Sequence, residues 1–205
     1  MLNRAKYMVA NQLCNRGIVD NNVLDAMSKV QRHRFVKKMY NISAYADVPL
    51  PIGHGQTISQ PYVVALMTEL LQVDKTHKVL EIGTGCGYQT AILSILSKRV
   101  ITLEVLSSLS KQSKKRLIKL GYNNVDFHCA DGKLGWEKEA PYDRIIVSAA
   151  PVTIPDILIG QLAPKGHMVI PVGSLNHQLI HIITKDKNEN IHIKKSTQVR
   201  FVPLV

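Results

Sequence analysis

The feature that most constrains this chain is a run of three glycines at alternate positions, placed directly after an apolar segment. Residues 79–82 are of buried-strand type, and Gly83, Gly85 and Gly87 follow them at once. Residues 88–97 then show a helical pattern. Glycines permit a tight turn and let a ligand lie against bare backbone, while the helix N-terminus presents free N–H groups. This strand–turn–helix unit predicts a nucleotide-type site in an α/β fold.

The glycine spacing argues against two common nucleotide motifs. A dinucleotide fingerprint places its third glycine three positions after the second, where this chain has Tyr88. A Walker loop needs a Gly-Lys-Ser/Thr sequence, which is absent. The G-x-G-x-G form, with Glu81 on the strand before it, resembles the first motif of class I S-adenosylmethionine (SAM) methyltransferases. A plain strand–helix corner without a ligand is the alternative.

Length and composition are typical of an ordinary globular protein. The chain has 205 residues, of which 45% are hydrophobic and 20% charged. The N-terminus does not resemble a signal peptide and no apolar run approaches a membrane span, so we expect a cytoplasmic protein with no membrane partner. Cys14, Cys86 and Cys129 lie far apart. This spacing predicts neither a disulfide framework nor a zinc site, and we expect no bound metal.

The net charge of +11 allows two interpretations. It could mark nucleic-acid binding, or it could be solvated charge on exposed faces. Much of it lies within residues 111–119 and 185–200, and neither group is interleaved with aromatic side chains. We therefore favour the second interpretation and expect no nucleic-acid partner. An RNA methyltransferase stays open as the alternative.

Strand and helix patterns alternate after the glycine turn and predict an α/β fold with a doubly wound, mostly parallel sheet. The resemblance of the glycine turn implies that this sheet is of the class I SAM-dependent methyltransferase type. A C-terminal antiparallel hairpin is predicted from residues 178–184, 191–194 and 199–202. We expect one methyltransferase domain over residues 1–205, with the cofactor-binding core at 63–175 and the hairpin at 176–205. The remaining strands are predicted at 100–105, 125–128, 143–148 and 167–172, with helices at 107–120 and 155–162.

Residues 1–62 are expected to form N-terminal helices, at 2–16 and 23–30, followed by an active-site loop. Residues 47–62 are predicted to be irregular, because two prolines and two glycines within seven residues oppose regular pairing. A loop of this length in a compact domain tends to be functional. Ser59 could instead be the N-cap of the next helix. Both interpretations stay open at this point.

Acidic residues follow two of the predicted strands at their carboxyl ends, where parallel α/β sheets bind ligands. Glu104 ends the second strand, where a carboxylate can accept hydrogen bonds from both ribose hydroxyls. Asp131 follows the third strand and could accept from an adenine amine, and Gly132 leaves room for the ring. Together with the glycine turn, these residues predict a nucleoside-type cofactor. The lack of a phosphate-binding lysine favours SAM.

The residues favour a carboxylate as the methyl acceptor. The fourth strand is followed by residues 148–151, Ser-Ala-Ala-Pro, which lack the stacking aromatic used in adenine methylation. The chain has no Pro-Cys pair for cytosine C5 chemistry. A carboxylate is already ionised at pH 7, so its attack on a sulfonium methyl needs no general base.

Five segments together resemble the protein-L-isoaspartate (D-aspartate) O-methyltransferase family. The most specific is Pro-Ile-Gly-His-Gly-Gln-Thr-Ile-Ser-Gln-Pro at residues 51–61, since other SAM methyltransferases share only the glycine turn. The others are residues 79–90, 140–151, 171–173 and 199–204. The segments span nearly the whole chain in the order that the family has.

The resemblance implies a SAM-dependent protein carboxyl O-methyltransferase that starts protein repair. The family methylates the free carboxyl of L-isoaspartyl (and D-aspartyl) residues, and the ester closes to a succinimide that reopens partly to aspartate. Isoaspartyl-containing peptides and proteins would be the partners of a monomer. The resemblance implies that Ser59 is the active-site residue; a SAM-binding module without catalysis is a further possibility. The expected cofactor-binding residues are Gln56, Thr57, Glu81, Gly83, Gly85, Gly87, Glu104, Asp131 and Gly132.

Overall fold

A seven-stranded sheet with helices on both faces forms the body of the protein, in the order β5-β4-β3-β6-β7-β8-β9. The computed structural model describes residues 2–205; Met1, where the predicted N-terminal part begins, lies outside them. The strands are β1 (Leu50–Gly53), β2 (Gln56–Ile58), β3 (Lys78–Ile82), β4 (Arg99–Leu103), β5 (Val125–His128), β6 (Tyr142–Val147), β7 (Leu162–Ser174), β8 (His177–Lys185) and β9 (Ile191–Val199). The α-helices are α1 (Leu2–Met8), α2 (Asn21–Lys29), α3 (Pro61–Leu71), α4 (Tyr88–Leu96), α5 (Ser107–Lys119) and α6 (Asp156–Gly160).

The predicted fold class is confirmed by the pairing of the strands. Strands β5, β4, β3, β6 and β7 pair in parallel, while β8 and β9 add an antiparallel pair at one edge. The chain leaves β3 toward β4 and β5, and then returns to place β6 on the other side of β3. This reversal is the switch point of a doubly wound sheet, where ligands bind at the carboxyl ends of the strands.

Alternation along the central strands divides the core into two layers. Val79 and Val100 face a cluster that includes residues of α2, α3 and α4. Leu80 and Ile101 face a second cluster that contains Leu158 of α6. Because both faces are covered, the parallel strands are almost continuously apolar, as the sequence pattern indicated.

The predicted N-terminal helices are present, although the first is not a regular α-helix throughout. After α1 the chain continues through a π-helical turn (Val9–Leu13) and a 3-10 turn (Cys14–Arg16), and it ends at Gly17, whose φ is 89°. Helix α2 begins after Asp20, whose carboxylate accepts hydrogen bonds from the N–H groups of Asn22 and Val23. Asp20 is therefore an N-cap of the usual acidic kind.

The prediction of an irregular segment at residues 47–62 is wrong for its central part. Strands β1 and β2 pair as a small antiparallel hairpin, with Pro51 opposite Thr57 and a bulge between Pro51 and Gly53. A two-stranded hairpin has two free edges, so a proline can take part without leaving a ladder bond unmade. The proline and glycine content therefore did not prevent pairing.

The C-terminal prediction is correct for β8 and β9 but wrong for residues 200–202. Strand β9 ends at Val199, and the chain then crosses to the end of β6. There the Ala150 N–H donates to the Val202 carbonyl at 2.8 Å, and the Leu204 N–H donates to the Ala150 carbonyl at 3.0 Å. The segment is fixed by a parallel bridge between Ala150 and Pro203 instead of by the sheet edge.

Candidate active site

A cleft lies at the carboxyl ends of β3, β4 and β6. It encloses about 1120 Å³ of empty space, part of which is open to solvent. Residues 83–86 together with Glu104 form one side, here called the glycine wall. The segment of residues 50–59 forms the other side and is here called the hairpin wall. Seven of the ten predicted site residues line this cleft: Gln56, Thr57, Ser59, Gly83, Gly85, Glu104 and Gly132.

Glu104 fixes the glycine wall to the end of β4. Its Oε2 accepts from the Gly85 N–H at 2.8 Å, and its Oε1 accepts from the Leu106 N–H at 3.0 Å. Each carboxylate oxygen can accept a second hydrogen bond, so two adjacent hydroxyls of a ligand can still be bound. The bare backbone of Gly85 beside this carboxylate fits a ribose at this place in the cleft.

Gly87 does not line the cleft but packs behind it. Its φ is 87°, and a Cβ at this position would lie 2.8 Å from Cδ1 of Leu117 on α5. The glycine therefore serves both the left-handed turn and the close approach of a helix.

Asp131 also lies outside the lining of the cleft. Its carboxylate accepts from the Lys133 N–H at 2.9 Å and so caps a 3-10 turn. The adjacent Gly132 does line the cleft. A Cβ on Gly132 would lie 2.2 Å from Cγ2 of Ile82. Close packing against β3 is thus a second reason for a glycine there, besides the room for an adenine ring that the sequence suggested.

Glu81 is fully buried beneath the glycine turn and does not face the cleft. Its Oε2 accepts from the hydroxyls of Thr90 and Thr102, each at 2.6 Å. The Thr102 hydroxyl also lies 2.6 Å from that of Thr84, which belongs to the glycine wall. Burial raises the pKa of Glu81 to about 7, although the two hydroxyl donors oppose this. The carboxyl is therefore a buried, titratable group connected to the wall by hydroxyls.

Ser59 lies at the end of the hairpin wall, where the chain enters α3. It is not the N-cap: Gln60 occupies that position without a side-chain cap bond, and Pro61 begins the helix. The Tyr62 N–H is instead accepted by Asp47 at 2.8 Å, from the loop before the hairpin. The structure therefore removes the capping explanation for Ser59 and leaves its side chain at the cleft.

Two further contacts hold the hairpin wall. The Ser59 carbonyl accepts from Nη2 of Arg32 at 2.8 Å. At the hairpin tip, Nε2 of His54 lies 3.0 Å from the Ser108 hydroxyl at the start of α5. The hairpin is thus tied at its base to the N-terminal segment and at its tip to the far side of the cleft.

The C-terminal residues 201–205 also line the cleft, which the sequence analysis did not foresee. The buried side chain of Gln178 holds them, because its Oε1 accepts from the Phe201 N–H at 2.6 Å and its Nε2 donates to the Phe201 carbonyl at 3.2 Å. The motif at residues 199–204 was the available signal, but its pattern did not indicate the long-range bridge that carries it to the cleft.

Residues 2–205 contain neither a metal-type cluster of side chains nor a membrane-spanning helix. No group of three or more His, Cys, Asp or Glu side chains is arranged to hold a metal ion. No helix in the same range has the length and apolar character needed to span a membrane.

The amino-acid sequence matches one protein family over nearly its whole length. The family model described as protein-L-isoaspartate (D-aspartate) O-methyltransferase (PCMT) matches residues 3–205. A protein-L-isoaspartate O-methyltransferase of Dictyoglomus turgidum is 55% identical over 94% of this chain and 87% of its own length. One from Geobacter metallireducens is 49% identical over 98% of this chain and 93% of its own.

Solved structures give the same relationship. A Plasmodium falciparum protein described as a protein-L-isoaspartate O-methyltransferase, in complex with S-adenosyl-L-homocysteine, superposes with a TM-score of 0.84. It is 29% identical in sequence, and the match covers 98% of both chains. The chain described here belongs to the protein-L-isoaspartate (D-aspartate) O-methyltransferase family.

Proposed function

We propose that this chain transfers a methyl group from S-adenosylmethionine to the free carboxyl of L-isoaspartyl, and D-aspartyl, residues in damaged proteins. The observation that carries the proposal is a single cleft in which Glu104 and the glycine turn face Ser59. One wall has the groups that a nucleoside needs, and the other carries a hydroxyl suited to a carboxylate. Family membership supports the carboxyl as the acceptor.

S-adenosylmethionine, when bound, supplies an electrophilic methyl group on a sulfonium. Glu104 would accept hydrogen bonds from the ribose hydroxyls, while Gly83 and Gly85 would present bare backbone to the ligand. Gln56 and Thr57 would contact the ligand from the hairpin wall.

The remaining predicted residues would act at the edge of the pocket or from behind it. Asp131 and Gly132 would flank the adenine. Glu81 would support the glycine wall through Thr102, and Gly87 would hold the turn against α5.

Ser59 would orient the acceptor. Its hydroxyl would donate a hydrogen bond to one carboxylate oxygen and leave the other oxygen free to attack in line. That oxygen forms a bond to the methyl carbon as the carbon–sulfur bond breaks, and the electron pair stays on sulfur. Apolar lining from Val63, Met67 and Phe201 would exclude water. No general base is required, because the acceptor is already ionised at neutral pH.

We also propose that the protein works as a cytoplasmic monomer without a nucleic-acid partner. The three cysteines Cys14, Cys86 and Cys129 are free, which suits a reducing compartment. The basic residues of β9, including Lys194 and Lys195, are exposed, which suits solvated charge.

The test is methyl transfer to paired peptides. The protein is incubated with methyl-labelled S-adenosylmethionine and either an isoaspartyl peptide or its aspartyl twin. We expect label on the isoaspartyl peptide only, released by mild base as expected for a methyl ester. Equal labelling of the twins, labelling of neither, or label entering added RNA instead would contradict the proposal.

A further inference from the structure

Arg32 is a fully buried cation directly behind the hairpin wall. Its exposed fraction is 0%. Its Nε donates to the Ala44 carbonyl at 2.8 Å, and its Nη2 donates to the Ser59 carbonyl at 2.8 Å. Both partners are neutral, so these bonds satisfy two donor groups without neutralising the charge.

The remaining surroundings of Arg32 do not neutralise the charge either. Among residues 2–205, Nη1 is buried without a hydrogen-bond partner. Asp47 raises the pKa of Arg32 through its negative charge, but this carboxylate is already paired with Arg16. Burial lowers the pKa of Arg32, but an arginine stays protonated in proteins. A buried, uncompensated charge is costly, so a purely structural link would be better made by a neutral side chain.

Arg32 touches the cleft through two of its lining residues. One is Ser59, through the carbonyl bond above. The other is Tyr88, whose ring centroid lies 4.9 Å from the guanidinium carbon. The charge therefore acts on the cleft across one layer of protein, where the effective dielectric constant is well below that of water.

We propose that Arg32 is a positioning residue for the methyl acceptor. It fixes the backbone of Ser59, and its uncompensated charge favours the negative charge of the acceptor carboxylate in the cleft. The proposal rests on the proposed function, because it assumes a carboxylate substrate. It assigns to Arg32 an influence on acceptor binding without direct contact.

The charge of Arg32 should act mainly on the binding of the peptide substrate. During transfer the carboxylate loses its negative charge to the new bond, so a nearby cation stabilises the bound substrate at least as much as the transition state. Replacement of the charge should therefore raise the KM for the peptide more than it lowers kcat. S-adenosylmethionine binding should change little, because the hydrogen bonds of Arg32 go to the carbonyls of Ala44 and Ser59 and not to the glycine wall, Gln56 or Thr57.

The experiment compares an isoaspartyl peptide with a twin in which the same carboxyl is a neutral carboxamide. Binding of each is measured by calorimetry in the presence of S-adenosyl-L-homocysteine, for wild type and for Arg32→Met. We expect the variant to lose about tenfold in affinity for the carboxylate peptide and less than about twofold for the carboxamide. Peptide KM should rise by a similar factor, with kcat within about threefold. Equal loss for both peptides would show a merely structural role and overturn the proposal.

One control variant and two alternative substitutions accompany this experiment. Arg34→Met removes an exposed arginine two positions away, and we expect it to leave the peptide preference within about twofold of wild type. If Arg34→Met matches Arg32→Met, net charge and not the buried cation is responsible, and the proposal fails. If Arg32→Met does not fold, Arg32→Lys and Arg32→Gln replace it. Lysine should keep most of the carboxylate preference and glutamine should lose it, and the reverse order would overturn the proposal.

Failure of the proposed function gives a different result. A wild-type protein that neither methylates the isoaspartyl peptide nor distinguishes it from the carboxamide would refute the function itself. A wild-type protein that does both, with an Arg32→Met variant that behaves in the same way, would refute only the role of Arg32.

Discussion

The glycine wall follows strands β3 and β4, whereas the hairpin wall belongs to a two-stranded ribbon that puts Leu50 and Ile58 into the core and leaves its tip exposed. Strands β3 and β4 are buried on both faces, and Glu104 joins them through backbone N–H groups. In the hairpin wall, His54, Gly55 and Thr57 are exposed. The glycine wall is therefore built on the core throughout, while the exposed part of the hairpin wall depends on long-range side-chain contacts.

This difference predicts two kinds of mutational effect. Changes in or under the glycine wall should alter stability and cofactor binding together, because the same atoms serve packing and the site. Changes at the positions of the hairpin wall that are not buried should alter turnover or ligand exchange with little loss of stability.

The largest expected effect is that of Gly87→Ala. The new Cβ would lie 2.8 Å from Cδ1 of Leu117. Residue 87 also has a φ of 87°, a backbone conformation that alanine rarely adopts. Backbone strain and overpacking together should cost about 4 kcal/mol of unfolding free energy, measured by urea titration. S-adenosylmethionine affinity, measured by calorimetry, should fall with it.

The matched control for that change is Gly121→Ala. Gly121 has a φ of 86°, but a Cβ there meets nothing within 4 Å. It should lose only the strain, about 1–2 kcal/mol, and keep its cofactor affinity. Equal losses in the two variants would contradict the packing role of Gly87.

The next effect is a pH dependence that comes from Glu81. Its pKa is raised from an ordinary 4.5 to about 7 in the folded protein. Between these values the folded state holds a proton that the unfolded state has released, so stability should fall as pH rises from 4.5 to 7 and then level off. The free energy of unfolding should fall by about 3 kcal/mol in total.

Replacement by glutamine isolates this contribution. Glu81→Gln resembles the protonated form and should remove the slope, seen as the difference between the two urea-derived stability curves over that pH range. The exposed Glu137→Gln should leave the wild-type curve unchanged in shape. A Glu81→Gln curve parallel to the wild type would mean that this carboxyl does not titrate there.

For the hairpin wall, Ser59→Ala should separate turnover from stability. We expect kcat with an isoaspartyl peptide to fall about tenfold, because the hydroxyl would no longer orient the attacking carboxylate oxygen. Melting temperature and S-adenosylmethionine affinity should stay unchanged, because Ser59 does not cap α3.

Asp47→Ala should have the opposite effect and lower stability. It removes the acceptor of the Tyr62 N–H and should lower stability by about 1 kcal/mol. If Ser59→Ala lowered the melting temperature and left turnover intact, the capping interpretation would return and the catalytic role of Ser59 would be lost.

The same contrast explains what the sequence could predict. The strand, turn and helix around Gly85, and the position of Glu104, follow from local periodicity and from the rule that ligands lie at strand ends. The burial of Arg32 and the position of Phe201 in the cleft depend on contacts between distant parts of the chain, which no local pattern encodes. The hairpin was missed because a rule for sheets was applied to a two-stranded ribbon.

The smallest expected effect concerns the tip of the hairpin wall. His54 reaches Ser108 across the cleft at 3.0 Å, and the contact is exposed to solvent. Ser108→Ala should therefore change the unfolding free energy by less than about 0.5 kcal/mol. Because the contact ties the tip to the far side, its loss should let the ligand escape faster. We expect the dissociation rate of S-adenosyl-L-homocysteine, followed by stopped-flow displacement, to rise about twofold.

Ser107→Ala, at the exposed neighbouring position, should leave that rate unchanged. Identical rates in the two variants would mean that the tip does not restrain exchange, and that the hairpin wall is held at its base alone, by the carbonyl bond from Arg32.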